Sequence, residues 1–222
     1  MNNRQRPFRL VKVVASLSFL ALAASLFAQK KADDPISRLK AGNARFVSGR
    51  LQGKDYAARR KETAAGQQPY AIVLACADSR VPPEILFDES LGRLFVVRVA
   101  GNVVDPVVLG SIEYAAEHLH VGTLLILGHE SCGAVKAALE GGEAPPNIKA
   151  LVERIAPAAE KAKQAKLNEA ETFNRAVHEN VVLQMRQAVE QSEVLKELEH
   201  EKKLQIVGGV YHLRSGRVEF LQ

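Results

Sequence analysis

The sequence predicts an α/β fold with a mainly parallel central sheet flanked by helices, and three observations carry that expectation. Three apolar runs, Tyr70 to Cys76, Leu94 to Val99 and Thr123 to Leu127, are of strand length and rich in Val, Ile or Leu. They lack polar alternation, as strands covered on both faces do. Helix-like segments at Pro82 to Phe87 and Pro106 to His118 lie between them, and strand, helix, strand implies parallel pairing through crossovers.

The elements can be justified in chain order. Arg4, Arg6, Arg9 and Lys12 precede an apolar stretch from Val13 to Phe27 that ends at Ala28-Gln29. This is the layout of a cleavable export signal, so residues 1–28 are expected to be removed and residues 29–222 to form the mature domain, periplasmic or secreted. The apolar run is short of the roughly 20 residues that a bilayer span needs, so no stable membrane anchor is expected. From Asp34, DPISRLKAGNARFVSGR offers a capping residue, Pro at a first helical position and apolar Ile36, Leu39 and Phe46 at helical spacing. A second helix is expected around Lys54 to Ala65, closed by Gly66-Gln-Gln-Pro69.

Beyond the third apolar run, Asn147 to Lys166 and Asn168 to Gln191 read as amphipathic covering helices. The second places Phe173, Val177, Val181 and Val189 on one face. Leu204 to Leu213 and Arg217 to Leu221 flank the turn-like Arg214-Ser-Gly216 and predict a strand followed by a terminal hairpin.

Charge narrows the functional classes. The whole chain carries a formal +5, but the first 28 residues hold four basic residues and no acid, so 26 Lys+Arg face 25 Asp+Glu in the remainder. The basic balance therefore belongs to the leader, and a nucleic-acid partner is not expected. Only two cysteines occur, Cys76 and Cys132. In an exported protein they could pair as a disulfide, or they could bind metal.

Cys76 closes the first apolar run in AIVLACADSRVPPEILFDE, and Asp78 and Arg80 follow at alternate positions, which in extended backbone would share a face. His129 and Cys132 close the third run in LLILGHESCGAV, where a strand hands over to a helix. Ends of parallel strands form the edge at which open α/β sheets place ligands. Two thiolates and an imidazole are a donor set for Zn2+, with a fourth position left open in a catalytic site and filled in a structural one. Asp78 is the candidate for that fourth position.

The C-x-D-S-R and H-x-x-C-G elements, separated by a stretch holding RVAGNVV and GSIEYA and followed by the closing GGVYHLRSGRVEFL, closely resemble the beta-class carbonic anhydrases from roughly Leu39 onward. The resemblance implies zinc ligands at Cys76, His129 and Cys132, and a catalytic Asp78-Arg80 dyad. It implies a beta-carbonic-anhydrase-like fold, a homodimer or homotetramer, and a lyase that reversibly hydrates CO2 to bicarbonate and a proton by attack of zinc-bound hydroxide. Asp78 would aim the nucleophile, with Arg80 holding Asp78 off the metal.

Gly101 and Glu89 are candidate substrate contacts on the same ground. Gly101, in RVAGNVV, would bring backbone near the metal or merely serve a turn. At Glu89 the chain departs from the family, many of whose bacterial members have a Gln that donates to bicarbonate. Glu89 is therefore turned away, paired with a cation such as Arg93, or protonated by burial. Enzymes of this scaffold that act on CS2 or COS, a non-catalytic zinc protein, and a cysteine hydrolase using Cys132 and His129 are the competing functions. No other histidine carries a signal that singles it out.

Overall fold

A computed structural model describes residues 34–221. The expected signal and its cut lie outside the described residues.

Four strands pair in parallel: β1 (Ala71–Ala75), β2 (Leu94–Arg98), β3 (Thr123–His129) and β4 (Gln205–Tyr211). β5 (Val218–Phe220) closes the sheet antiparallel to β4 in the expected hairpin, and the order is β2-β1-β3-β4-β5. The chain thus steps outward from β1 to β2 and then back past β1 to β3. That reversal puts a crevice at the carboxyl ends of β1 and β3.

β1 and β3 are buried along their whole length, as their unbroken apolar runs require. Their side chains alternate between two cores. Ile72, Leu74, Leu124 and Ile126 enter one; Ala71, Val73, Leu125 and Leu127 enter the other. The expectation of cover on both faces fails for β2, where Phe95 to Val97 are half-buried and Arg98 is exposed. β2 is an edge of the sheet, so among the described residues one side of it has no neighbouring strand.

The helices are α1 (Pro35–Val47), α2 (Tyr56–Glu62), α3 (Pro83–Leu86), α4 (Pro106–Glu113), α5 (Gly133–Glu140), α6 (Pro146–Gln164), α7 (Glu169–Glu190) and α8 (Glu193–His200). Caps explain several starts. Asp55 accepts from the Ala58 N–H, Asp105 from the N–H groups of Val107 and Val108, and Asn168 and Glu171 form a reciprocal capping box at α7. α4 runs on through a wider π turn over Tyr114–His118, so the expected single helix to His118 changes its hydrogen-bond spacing at Tyr114. α8 was not expected from the sequence; its signal is Ser192, which caps the Leu195 N–H, followed by Glu193.

From Leu39 onward the chain is one unit. α5, α6 and α7 pack on one face of the sheet, where Ile155, Ala159, Val177 and Val181 join the first core. Leu39, Leu86 and Phe87 fill the second core on the opposite face. Among the described residues no helix is long and apolar enough to cross a membrane.

Candidate metal centre

Three ligand atoms meet at the crevice. Cys76 immediately follows β1, His129 is the last residue of β3, and Cys132 is the residue before α5. All three are buried, and their Sγ and imidazole nitrogen atoms lie within 4.8 Å of one another. Parallel pairing of Ala75 with Leu127 brings the two strand ends side by side. Ser131, at φ 56°, turns the chain back so that Cys132 faces His129.

The donor set fits a metal in its details. His129 Nδ1 is 2.7 Å from the Glu130 carbonyl, a contact in which the ring N–H donates, so Nε2 carries the lone pair. Nε2 is buried and has no hydrogen-bond partner among the described residues. An orphaned imidazole nitrogen costs free energy in an apolar interior, and beside two sulfur atoms its natural partner is a thiophilic cation. The two cysteines are free, not paired as a disulfide.

A hydrogen bond between the two sulfurs makes the thiols unequal. The Cys132 thiol donates toward Cys76, with further help from the N–H groups of Asp78 and Gly101, and this pushes the Cys76 pKa down despite burial. Cys132 is pushed up, first by that hydrogen bond and then by burial. Cys76 is thus the thiol disposed to ionise, and a dication would draw the proton from Cys132.

The dyad is formed, though not as an extended strand would form it. β1 ends at Ala75, and Asp78 to Val81 is a turn in which the Val81 N–H donates to the Asp78 carbonyl and the Arg80 N–H to Asp78 Oδ1. Arg80 Nε and Nη2 then hold the two carboxylate oxygens at 2.9 and 2.7 Å. This fork keeps the Asp78 carboxyl well below the usual carboxylate range, against the opposing effect of its partial burial. Asp78 Oδ2 lies 4.0 Å from His129 Nε2.

Gly101 lies over the site with φ 71°, and its N–H donates to Cys76 Sγ at 3.3 Å. Its carbonyl accepts from Asn180. The two backbone groups of the candidate substrate contact are therefore engaged, one of them on the Cys76 sulfur. Glu89 is buried and accepts from the Tyr70 hydroxyl at 2.9 Å, while the Arg93 guanidinium stands over the Tyr70 ring.

Sequence reasoning missed Arg98, whose Nε and Nη2 hold the carbonyls of Cys76 and Asp78 at 3.0 and 2.6 Å. The signal was a basic residue closing an apolar run. Asn180 and Gln184, two amides inside an amphipathic stripe, were missed as well.

Comparison with known proteins agrees with this geometry. The sequence profile of the family described as "Carbonic anhydrase" matches residues 71–218. The carbonic anhydrase of Mycolicibacterium smegmatis is 46% identical over 188 residues, covering 82% of this chain and 89% of the relative. A beta-carbonic anhydrase from Coccomyxa, solved in complex with acetazolamide, superimposes with a TM-score of 0.67 at 27% identity, covering 92% of this chain and 86% of that one. One of two tetrameric beta-carbonic anhydrases of Sordaria macrospora shares the fold with a TM-score of 0.68 at 22% identity, covering 93% of this chain and 97% of that one. The crevice at the β1 and β3 ends thus belongs to an enzyme, and the chain is a member of the beta-class carbonic anhydrase family.

Proposed function

We propose that this chain binds one Zn2+ through Cys76, His129 and Cys132 and catalyses the reversible hydration of CO2 to bicarbonate and a proton. The observation that carries the reading is the buried, partnerless Nε2 of His129 beside two free thiols. Sulfur and imidazole donors in this number suit zinc with one position open. The metal, when bound, supplies Lewis acidity that brings the pKa of water from about 15.7 to about 7.

The chain's own residues do the rest. Cys76 and Cys132 as thiolates balance the dication's charge, so that the site is neutral. The Glu130 carbonyl holds the ring of His129 with its basic nitrogen facing the sulfurs. Asp78 accepts a hydrogen bond from the attacking water and thereby aims its lone pair at the CO2 carbon. Both Asp78 oxygens are held by Arg80, which keeps the carboxylate from closing the open position. Because that carboxyl stays ionised far into acid, it remains an acceptor throughout the neutral range. A contact of Glu89 with bicarbonate belongs to the same proposal, and the KM for bicarbonate dehydration in Glu89→Gln tests it, whereas Gly101, its N–H given to Cys76 and its carbonyl to Asn180, acts through that sulfur.

Export after removal of residues 1–28, to a periplasmic or secreted location, is likewise proposed, on the charge asymmetry of the leader. So is assembly as a homodimer or homotetramer. Val107 is 80% exposed and Tyr114 48%, apolar surface that a second copy would cover.

One preparation from a secreting host tests these points together. The mature protein should begin near Gln29 by mass spectrometry, sediment as a dimer or tetramer, hold one zinc per chain and hydrate CO2. Cys76→Ser should lose both metal and activity, since a hydroxyl is a poor replacement for a thiolate. Full zinc and normal turnover in Cys76→Ser would sink the metal reading, and an intact Met1 the export reading.

A further inference from the structure

A buried polar chain runs from α7 to the loop that covers Cys76. Asn180 and Gln184 lie one turn apart on α7 and are 1% and 0% exposed. Asn180 Nδ2 donates to the Gly101 carbonyl at 2.9 Å, and Asn180 Oδ1 accepts from Gln184 Nε2 at 3.0 Å. Gln184 Oε1 accepts from the Val104 N–H at 2.8 Å, and Arg154 Nη1 donates to the Val104 carbonyl at 3.0 Å. Both ends of the segment from Gly101 to Val104 are therefore tied to α6 and α7.

Buried amides are costly unless fully paired, and all four side-chain polar atoms of this pair have partners. What they hold is Gly101, whose N–H sits on Cys76 Sγ. The loop is also wedged from the side: a Cβ at Gly101 would come within 2.5 Å of Ile155 Cδ1 and 3.1 Å of Ala134 Cβ. The peptide thus has packing on one flank and a hydrogen bond on the other.

We propose that Asn180 and Gln184 are positioning residues for the ligand Cys76: by fixing the Gly101 carbonyl they aim its N–H at the thiolate and set the strength of the metal–sulfur bond. The inference rests on the metal reading given above. An N–H donated to a thiolate withdraws electron density from sulfur and fixes which lone pair faces the metal. Removing the donor leaves a more electron-rich, less constrained sulfur. Partners that orient metal ligands in this way typically change affinity by about 10–100-fold when lost.

The test compares wild type, Asn180→Leu and Asn180→Thr, loaded with zinc and, separately, with cobalt(II). Asn180→Leu should move the sulfur-to-cobalt charge-transfer band to longer wavelength and speed zinc loss to a chelator by about tenfold. Asn180→Thr keeps a hydroxyl that can donate to Gly101 and accept from Gln184, and should restore both readings. A merely structural role would lower stability without moving the band. Should Asn180→Leu not fold, Asn180→Asp, which keeps size but withdraws the donor, is read in the same way. An unmoved band with an unchanged chelator rate overturns the proposal. Wild type that takes up neither metal overturns the metal reading instead.

Discussion

At the scale of single residues, the difference between Asp78 and an ordinary carboxylate is made by Arg80. Two side-chain hydrogen bonds and one backbone hydrogen bond favour the ionised form. A group whose folded pKa is depressed adds stability above its unfolded value of about 3.9, lost only as pH falls through the lower folded value. Neither its charge nor that stability changes in the neutral range, so any inflection of activity near neutrality must come from another group. Asp78→Asn should leave one zinc bound yet slow CO2 hydration by about 10–100-fold, as measured by stopped-flow with metal analysis. A variant as active as wild type would remove Asp78 from the mechanism. The five residues of the constellation were legible because each is a chemically distinctive type at a fixed offset from an apolar run. Arg98 and Asn180 were not, because they act on backbone carbonyls, and a carbonyl leaves no mark in the sequence of its partner.

At the scale of elements, periodicity and caps placed every strand and most helices, and the departures have local causes. β2 looked like a central strand because its run is apolar, but edge position depends on strand order, which pairing decides and composition does not. α8 was hidden because only its cap and two or three apolar residues mark it. The helix from Pro35 was legible by its Pro and spacing, whereas its fastening was not. Asn43 Nδ2 donates to the carbonyls of Leu86 and Gly216, and Asn43 Oδ1 accepts from the Val218 N–H, so one side chain ties α1 to α3 and to the terminal hairpin. Gly42 beside it allows the approach, since a Cβ there would fall 1.9 Å from the Phe87 carbonyl oxygen. Backbone cannot yield as a flexible side chain can. Gly42→Ala should therefore destabilise the fold by about 3 kcal/mol, at the upper end of ordinary overpacking, read from the midpoint of urea unfolding. A loss below about 1 kcal/mol would show that α1 moves away freely.

For the molecule as a whole, the proposed metal ligands would also act as a staple between the first and third strands and the helix that follows. Cys76 belongs to the β1 end, His129 to the β3 end and Cys132 to the start of α5, so an ion bound as proposed would tie together the strand ends that meet where the strand order reverses. An unfolded chain has its ligands scattered over more than fifty residues and binds the ion far more weakly. Binding to the folded form alone stabilises it by about 4.1 kcal/mol at a free metal concentration a thousandfold above Kd. A chain of this length gains about 2–4 °C per kcal/mol, so zinc loading at that level should raise Tm by about 8–16 °C over the chelated protein. Chelation should also expose the two thiols to each other. With their sulfurs within 4.8 Å and one already disposed to be thiolate, Cys76 and Cys132 should oxidise to a disulfide in the stripped protein and stay reduced in the loaded one. Thermal scans with and without chelator, paired with thiol counting after exposure to an oxidant, check both halves. Equal Tm values would mean that the crevice is held closed by the sheet alone. Equal oxidation with and without zinc would mean that the metal does not sit on these sulfurs, and the orphaned nitrogen of His129 would then need another partner.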